Sequence, residues 1–144
     1  MISLRWESEG LKPIYKSQYS AGCDLRSRVD LVLCGGEQVK VPTGVFIDRV
    51  DWDLVPSGMI PELQIRARSG LSYQAGICLT NGIGTVDCDY PEEICVLLWN
   101  TRKTDFIIQK ADRIAQLSLN LVSQMAHIAV EGKRSSGFGS TGLK

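Results

Sequence analysis

The stretch Asn81-Gly-Ile-Gly-Thr-Val-Asp-Cys-Asp-Tyr90 holds the residues best suited to chemistry. Glycines beside a β-branched pair describe a hairpin whose tip takes unusual backbone angles and lets another molecule approach closely. Alternation beyond the tip puts Thr85, Asp87 and Asp89 on one face of a strand, and Val86, Cys88 and Tyr90 on the other. A carboxylate beside exposed hairpin backbone can serve as a general base next to a small planar ligand. The same residues also suit an ordinary turn with two solvated aspartates.

Four other stretches carry chemistry of a compatible kind. Ser20-Ala-Gly-Cys-Asp-Leu-Arg-Ser27 places Asp24 at the entry to a strand, where it caps a turn or serves a site. Arg66-Ala-Arg-Ser-Gly-Leu-Ser72 ends a strand and opens one or two helical turns over Leu71 to Gly76. There Arg68, Ser69 and Gly70 offer a guanidinium, a hydroxyl and backbone N–H groups to an anion, or simply form an exposed turn. Arg113-Ile-Ala-Gln-Leu117 begins an alternating segment that runs to Val122. The tail, Arg134-Ser-Ser-Gly-Phe-Gly-Ser-Thr-Gly142, reads either as a glycine-rich phosphate cradle with an aromatic lid or as a disordered end.

The elements that must position these residues are short strands between turns. Ile2, Leu4 and Trp6 mark a first strand, and Leu31 to Leu33 a second, ending at the turn Cys34-Gly35-Gly36-Glu37. Val39 to Ile47 reads as a strand pair broken at Pro42-Thr43-Gly44, and 48–61 as a surface excursion. Glu62 to Arg68 alternates, with Leu63 and Ile65 opposed to Gln64 and Arg66. Glu93 to Asn100, Phe106 to Gln109, Arg113 to Val122 and Ala126 to Val130 complete the set of expected strands. The division is a β domain over 1–132 and a flexible glycine- and serine-rich arm over 133–144.

Composition narrows the function. A chain of 144 residues suits one domain able to bury a core without staples. Sixteen basic residues balance sixteen acidic ones, so no global field points to nucleic acid or to a membrane surface. One histidine, His127, excludes a histidine-rich metal site or a serine-type triad with any redundancy, and is read as structural. Five cysteines without a Cys-x-x-Cys spacing suggest neither a disulfide framework nor a zinc ribbon; they read as small buried hydrophobes in a reducing compartment. No apolar run approaches the roughly 20 residues of a membrane span, and the start is not that of a signal peptide. The expected setting is cytoplasmic, with a nuclear or viral origin left open.

The five stretches, in this order, closely resemble the five ordered motifs of the trimeric dUTPase family, from about Ser20 to Gly142. The resemblance implies an all-β, jelly-roll-like barrel or sandwich with one short helix, assembled as a homotrimer with shared active sites. It implies hydrolysis of dUTP to dUMP and pyrophosphate with Mg²⁺, keeping uracil out of DNA and supplying dUMP for thymidylate synthesis. Asp87 matches the general base. Asn81, Gly84, Thr85 and Val86 match the uracil-reading hairpin, and Tyr90 the residue packed under the deoxyribose. Arg68, Ser69, Gly70 and Gln116 match the phosphate-binding positions, and Asp24 the carboxylate that meets Mg²⁺ through water. Phe138 matches the residue that stacks on uracil, with Gly139, Ser140 and Thr141 at the γ-phosphate.

Three places depart from the family pattern. Pro91-Glu92-Glu93 replaces the usual Arg-Gly-Glu or similar after Tyr90. Lys133 stands where the arm usually has its arginine, leaving Arg134 one residue closer to Phe138. The segment 48–61 looks longer than its counterpart. Two other functions fit the same scaffold: a dCTP deaminase-type enzyme, which calls for a glutamate beside a water at the base, and a non-catalytic nucleotide sensor. Thr85-Val86-Asp87-Cys88-Asp89-Tyr90 follows the dUTPase pattern, and Asp87 with the Phe138 arm speaks for turnover.

Overall fold

The computed structural model of the chain describes residues 1–130 and 132. Eleven strands appear among them: β1 Ile2–Trp6, β2 Ile14–Tyr15, β3 Cys23–Arg26, β4 Leu31–Leu33, β5 Gln38–Val50, β6 Ile60–Arg66, β7 Ile77–Leu79, β8 Gly84–Asp87, β9 Ile94–Asn100, β10 Phe106–Ile108 and β11 Arg113–Val122. They form a four-stranded sheet in the order β1-β5-β9-β7, a five-stranded sheet in the order β2-β3-β11-β6-β8, and the pair β10-β4. All pairings are antiparallel. The result is a jelly-roll-like β domain.

Period-two alternation explains how the layers meet. Leu25, Leu63, Ile65, Val86 and Leu117 of the larger sheet face Val41, Val45, Ile94, Val96 and Leu98 of the smaller, with Leu33 and Ile108 from the pair completing one core. Residues opposite one another in register share a face. The other face of the five-stranded sheet therefore carries a polar ladder: Asp24, Gln116 and Arg66 in one row, Ser118, Gln64 and Thr85 in the next, Asn120, Glu62 and Asp87 in the third.

Two expected breaks are bulges instead. Val39 to Ile47 lies within a single strand, β5, whose register against β9 shifts between Pro42 and Val45. Gly44 makes the kink with φ +69°, a left-handed conformation that glycine adopts without cost. The imperfect alternation of Arg113 to Val122 has the same origin: a shift between Arg113 and Ala115 turns both Ile114 and Ala115 inward.

Other expectations need correction. The loop at Asn81 is no hairpin tip, because β7 belongs to one sheet and β8 to the other; residues 80–83 cross between the layers. Ala126 to Val130 forms no strand: Ala126 and His127 make a turn, with His127 at φ +62°, and no described strand offers it a ladder. The excursion shrinks, since β5 continues to Val50 opposite Ile2 and β6 begins at Ile60. Among the described residues there are three short helical turns rather than one: 3₁₀ turns at Glu9–Leu11 and Trp52–Leu54, and a π-type turn at Leu71–Ala75. All five cysteines are free, but only Cys23 and Cys95 are buried, and Cys34 is exposed. No helix of the described residues is long and apolar enough to cross a membrane.

Candidate active site

Two separate clusters emerge. The first is a concave pocket of about 210 Å³ lined by Ile65, Asn81, Gly84, Thr85, Val86, Tyr90, Ile94, Cys95 and Leu97. This is smaller than the roughly 300–1,000 Å³ of drug-sized sites and suits one small planar ring with little beside it. Among the described residues strand β8 is the edge of its sheet, so its outer main-chain side is not laddered to a further described strand and can read a base as a partner strand would. Gly84 is packed closely: a Cβ there would lie 3.1 Å from Ile65 Cβ and 3.3 Å from Asn81 Nδ2. Asp87 and Thr85 are exposed while Val86 and Gly84 are buried, as the alternation requires.

Tyr90 closes one wall. It is buried, and its hydroxyl donates long hydrogen bonds to Glu92 Oε2 (3.3 Å) and the Glu93 carbonyl (3.4 Å). Burial, followed by the neighbouring Glu92 carboxylate, pushes its phenol up to about 12. Tyr90 therefore stays neutral at any physiological pH.

The second cluster is electropositive around one buried carboxylate. Asp24, only 2% exposed, meets Arg113 Nη1 at 3.3 Å and Arg68 Nε at 3.8 Å. Arg68 Nη1 donates to the Arg113 carbonyl at 2.6 Å, and Arg26 Nη1 to the Ala111 carbonyl at 2.6 Å. Burial lowers the Arg68 pKa, and the charges of Arg113 and Arg26 lower it further against the pull of Asp24. Two guanidinium groups on a single carboxylate, with Arg26 near enough to repel Arg68, leave a cationic site that an anion relieves. Ser69 and Gly70 stand exposed where the chain turns from Arg68 into the helical turn. Gly76 ends that turn at φ +71°, the left-handed cap. Gln116 lies in register between Asp24 and Arg66.

The chain does not bring the two clusters together. Asp87 pairs with Glu62, four residues along β6 from Arg66, and three strand spacings separate β8 from β3. At the usual spacings that places Asp87 about 20 Å from Asp24 within one chain. Asp87 and the guanidinium cluster of the same chain cannot meet at one phosphorus atom across that gap. Arg134, Phe138, Gly139, Ser140 and Thr141, together with Lys133, lie outside the described residues.

Sequence reasoning missed the pocket floor of Ile65, Ile94, Cys95 and Leu97, and the guanidinium groups of Arg26 and Arg113. Arg113 heads one of the five stretches, which was the signal that could have found it. For the floor there was none, since it depends on which strand neighbours which.

The donor set bears directly on the magnesium expected from the sequence. Among the described residues no group of three or more His, Cys, Asp or Glu is placed to hold a metal ion. One carboxylate beside a guanidinium cluster fits an ion carried on phosphate oxygens and touched through water, not a protein cage.

These features define a jelly-roll-like, all-β domain with a ring-sized pocket along one sheet edge and a separate guanidinium cluster. The family model described as dUTPase matches residues 9–142, and the chain belongs to that family. The deoxyuridine 5'-triphosphate nucleotidohydrolase of Rhizobium etli is 40% identical over 145 residues, covering 94% of this chain and 88% of that protein. A mutant dUTPase from phage phi11 of S. aureus, described for its coordination of a structural Mg(II) ion, superposes with a TM-score of 0.72 at 19% identity, covering 92% of this chain and 97% of that one. A mutant dUTPase of Staphylococcus bacteriophage 80alpha with dUpNHpp gives a TM-score of 0.71 at 20% identity, covering 99% of each chain.

Proposed function

We propose that the protein hydrolyses dUTP to dUMP and pyrophosphate as a homotrimer whose active sites each join the pocket of one chain to the guanidinium clamp of another. The observation that carries this reading is the ring-sized pocket along the β8 edge, with exposed Asp87 ending the same strand. The separation of about 20 Å between Asp87 and Asp24 supports a second chain as the source of the clamp.

In this mechanism the backbone of Asn81 to Val86 holds uracil, and the tight fit at Gly84 excludes a 5-methyl group. Tyr90 packs under the deoxyribose and leaves no room for a 2′-hydroxyl. Asp87 takes a proton from water as that water attacks the α-phosphorus and the bond to pyrophosphate breaks. Arg68, Ser69, Gly70 and Gln116 hold the phosphate chain, which needs positioning and charge neutralisation more than covalent help. Asp24 would meet a phosphate-bound Mg²⁺ through water, and that ion would supply further charge neutralisation. The arm brings Phe138 onto the base, Gly139, Ser140 and Thr141 to the γ-phosphate, and Arg134 to the phosphate chain.

The test is Asp87→Asn, which keeps shape and removes the base. Hydrolysis is expected to fall by at least about 10²-fold while dUTP binding measured by calorimetry stays within a few-fold. Wild-type turnover in that variant removes Asp87 from the mechanism.

A further inference from the structure

Immediately after Tyr90 the chain reads Pro91-Glu92-Glu93, in which Pro91 and Glu92 depart from the usual Arg-Gly-Glu and Glu93 keeps its glutamate, and the surroundings of Glu93 give that residue a purpose. The shift between Pro42 and Val45 leaves Thr43 and Gly44 without Cα partners on β9, so their backbone groups need other partners. Glu93 Oε1 accepts the Gly44 N–H at 2.6 Å, and its Oε2 lies 3.1 Å from Arg28 Nη2 with the carboxylate only 17% exposed. Arg28 in turn reaches Glu7 Oε1 at 2.7 Å and donates its backbone N–H to the Pro42 carbonyl at 2.9 Å. Thr43 Oγ1 donates to the Ile94 carbonyl at 2.5 Å. The start of β9 is thus fastened to the β5 bulge at two consecutive residues.

The pocket lies immediately beyond that fastening. Ile94, Cys95 and Leu97 line its floor, and the Glu93 carbonyl receives the Tyr90 hydroxyl. We infer that Glu93 is a positioning residue: through Gly44 and Arg28 it sets the pocket floor and the Tyr90 ring at the height that admits deoxyuridine and rejects the ribonucleoside. The inference rests on the reading that this pocket takes the nucleoside of dUTP. A carboxylate is required because one oxygen meets an N–H and the other a guanidinium; an amide satisfies only the first cleanly.

The experiment compares unaltered protein, Glu93→Ala, Glu93→Gln and Arg28→Gln by steady-state kinetics with dUTP and UTP, alongside thermal unfolding. Glu93→Ala is expected to raise KM for dUTP about tenfold with kcat within about twofold, and to narrow the dUTP-over-UTP preference about tenfold. Glu93→Gln, which keeps the bond to Gly44 but loses the charge facing Arg28, is expected to recover only part of each loss, as Arg28→Gln is expected to show part of it. A Glu93→Ala protein that melts earlier yet keeps its KM and preference overturns the inference, because a merely structural role predicts that pattern. Should Glu93→Ala not fold, Arg28→Gln decides: a raised KM with relaxed preference supports the inference, and unchanged values overturn it. Failure of the unaltered protein to turn over dUTP strikes the reading of the pocket and the inference with it, whereas normal turnover with indifferent variants strikes Glu93 alone.

Discussion

Replacing Asp24 by Asn keeps its shape and removes its charge, and the geometry sets what that costs. The carboxylate is 2% exposed, with Arg113 Nη1 at 3.3 Å and Arg68 Nε at 3.8 Å. Stripping one partner from a fully buried pair costs about 3–5 kcal/mol. Arg113 is 38% exposed, however, so water takes over much of its lost partner, and about 1–1.5 kcal/mol remains for that contact. The Arg68 contact exceeds hydrogen-bond length and counts only as charge, about 0.5–1 kcal/mol, increased by the repulsion from Arg113 that Asp24 now offsets. The total is about 2 kcal/mol per chain, equivalent to a fall in Tm of about 6 °C for a chain of this size. Calorimetric melting of Asp24→Asn, Arg113→Gln and the double variant measures it, with a coupling of about 1 kcal/mol expected between the two sites. A fall below about 1 °C, or strict additivity, refutes the view that Asp24 organises the guanidinium cluster.

Gly44→Ala is expected to cost about 3 kcal/mol and about 9 °C in Tm, because φ is +69° and the new methyl would lie 2.6 Å from buried Leu11 Cδ1; chemical denaturation checks it. Tyr90, with its folded-state pKa raised to about 12, contributes stability that is fully present below its unfolded value near 10 and is lost as pH rises from about 10 to about 12. Ultraviolet titration of the unaltered protein against Tyr90→Phe should show one phenol ionising late, in that upper window.

How much of this was legible depended on distance along the chain. The alternation of Leu63 and Ile65 against Gln64 and Arg66 is local, so β6 and its faces could be read directly. The split of Thr85 and Asp87 from Val86 obeyed the same rule. Pairing partners are not local: nothing within Ile77–Asp87 says that β7 ladders with β9 while β8 ladders with β6, so a crossover reads as a hairpin. Bulges hide for a similar reason, since Thr43–Ile94 and Gly44–Glu93 contacts that stabilise the kink come from residues about 50 positions away. Ala126 to Val130 has strand-like composition, but a strand exists only where another accepts its ladder. At the site, the chemistry-bearing side chains were visible as residue types, whereas the apolar pocket floor and the separation of the two clusters belong to the topology.

The central claim is tested most directly by product analysis of the purified protein with Mg²⁺ and, separately, dUTP, dCTP, UTP and dTTP. Pyrophosphate and dUMP from dUTP, with the other three nucleotides turned over at least about 10²-fold less efficiently, is the predicted result. Ammonia released from dCTP, or nucleotide binding with no turnover of dUTP, contradicts it.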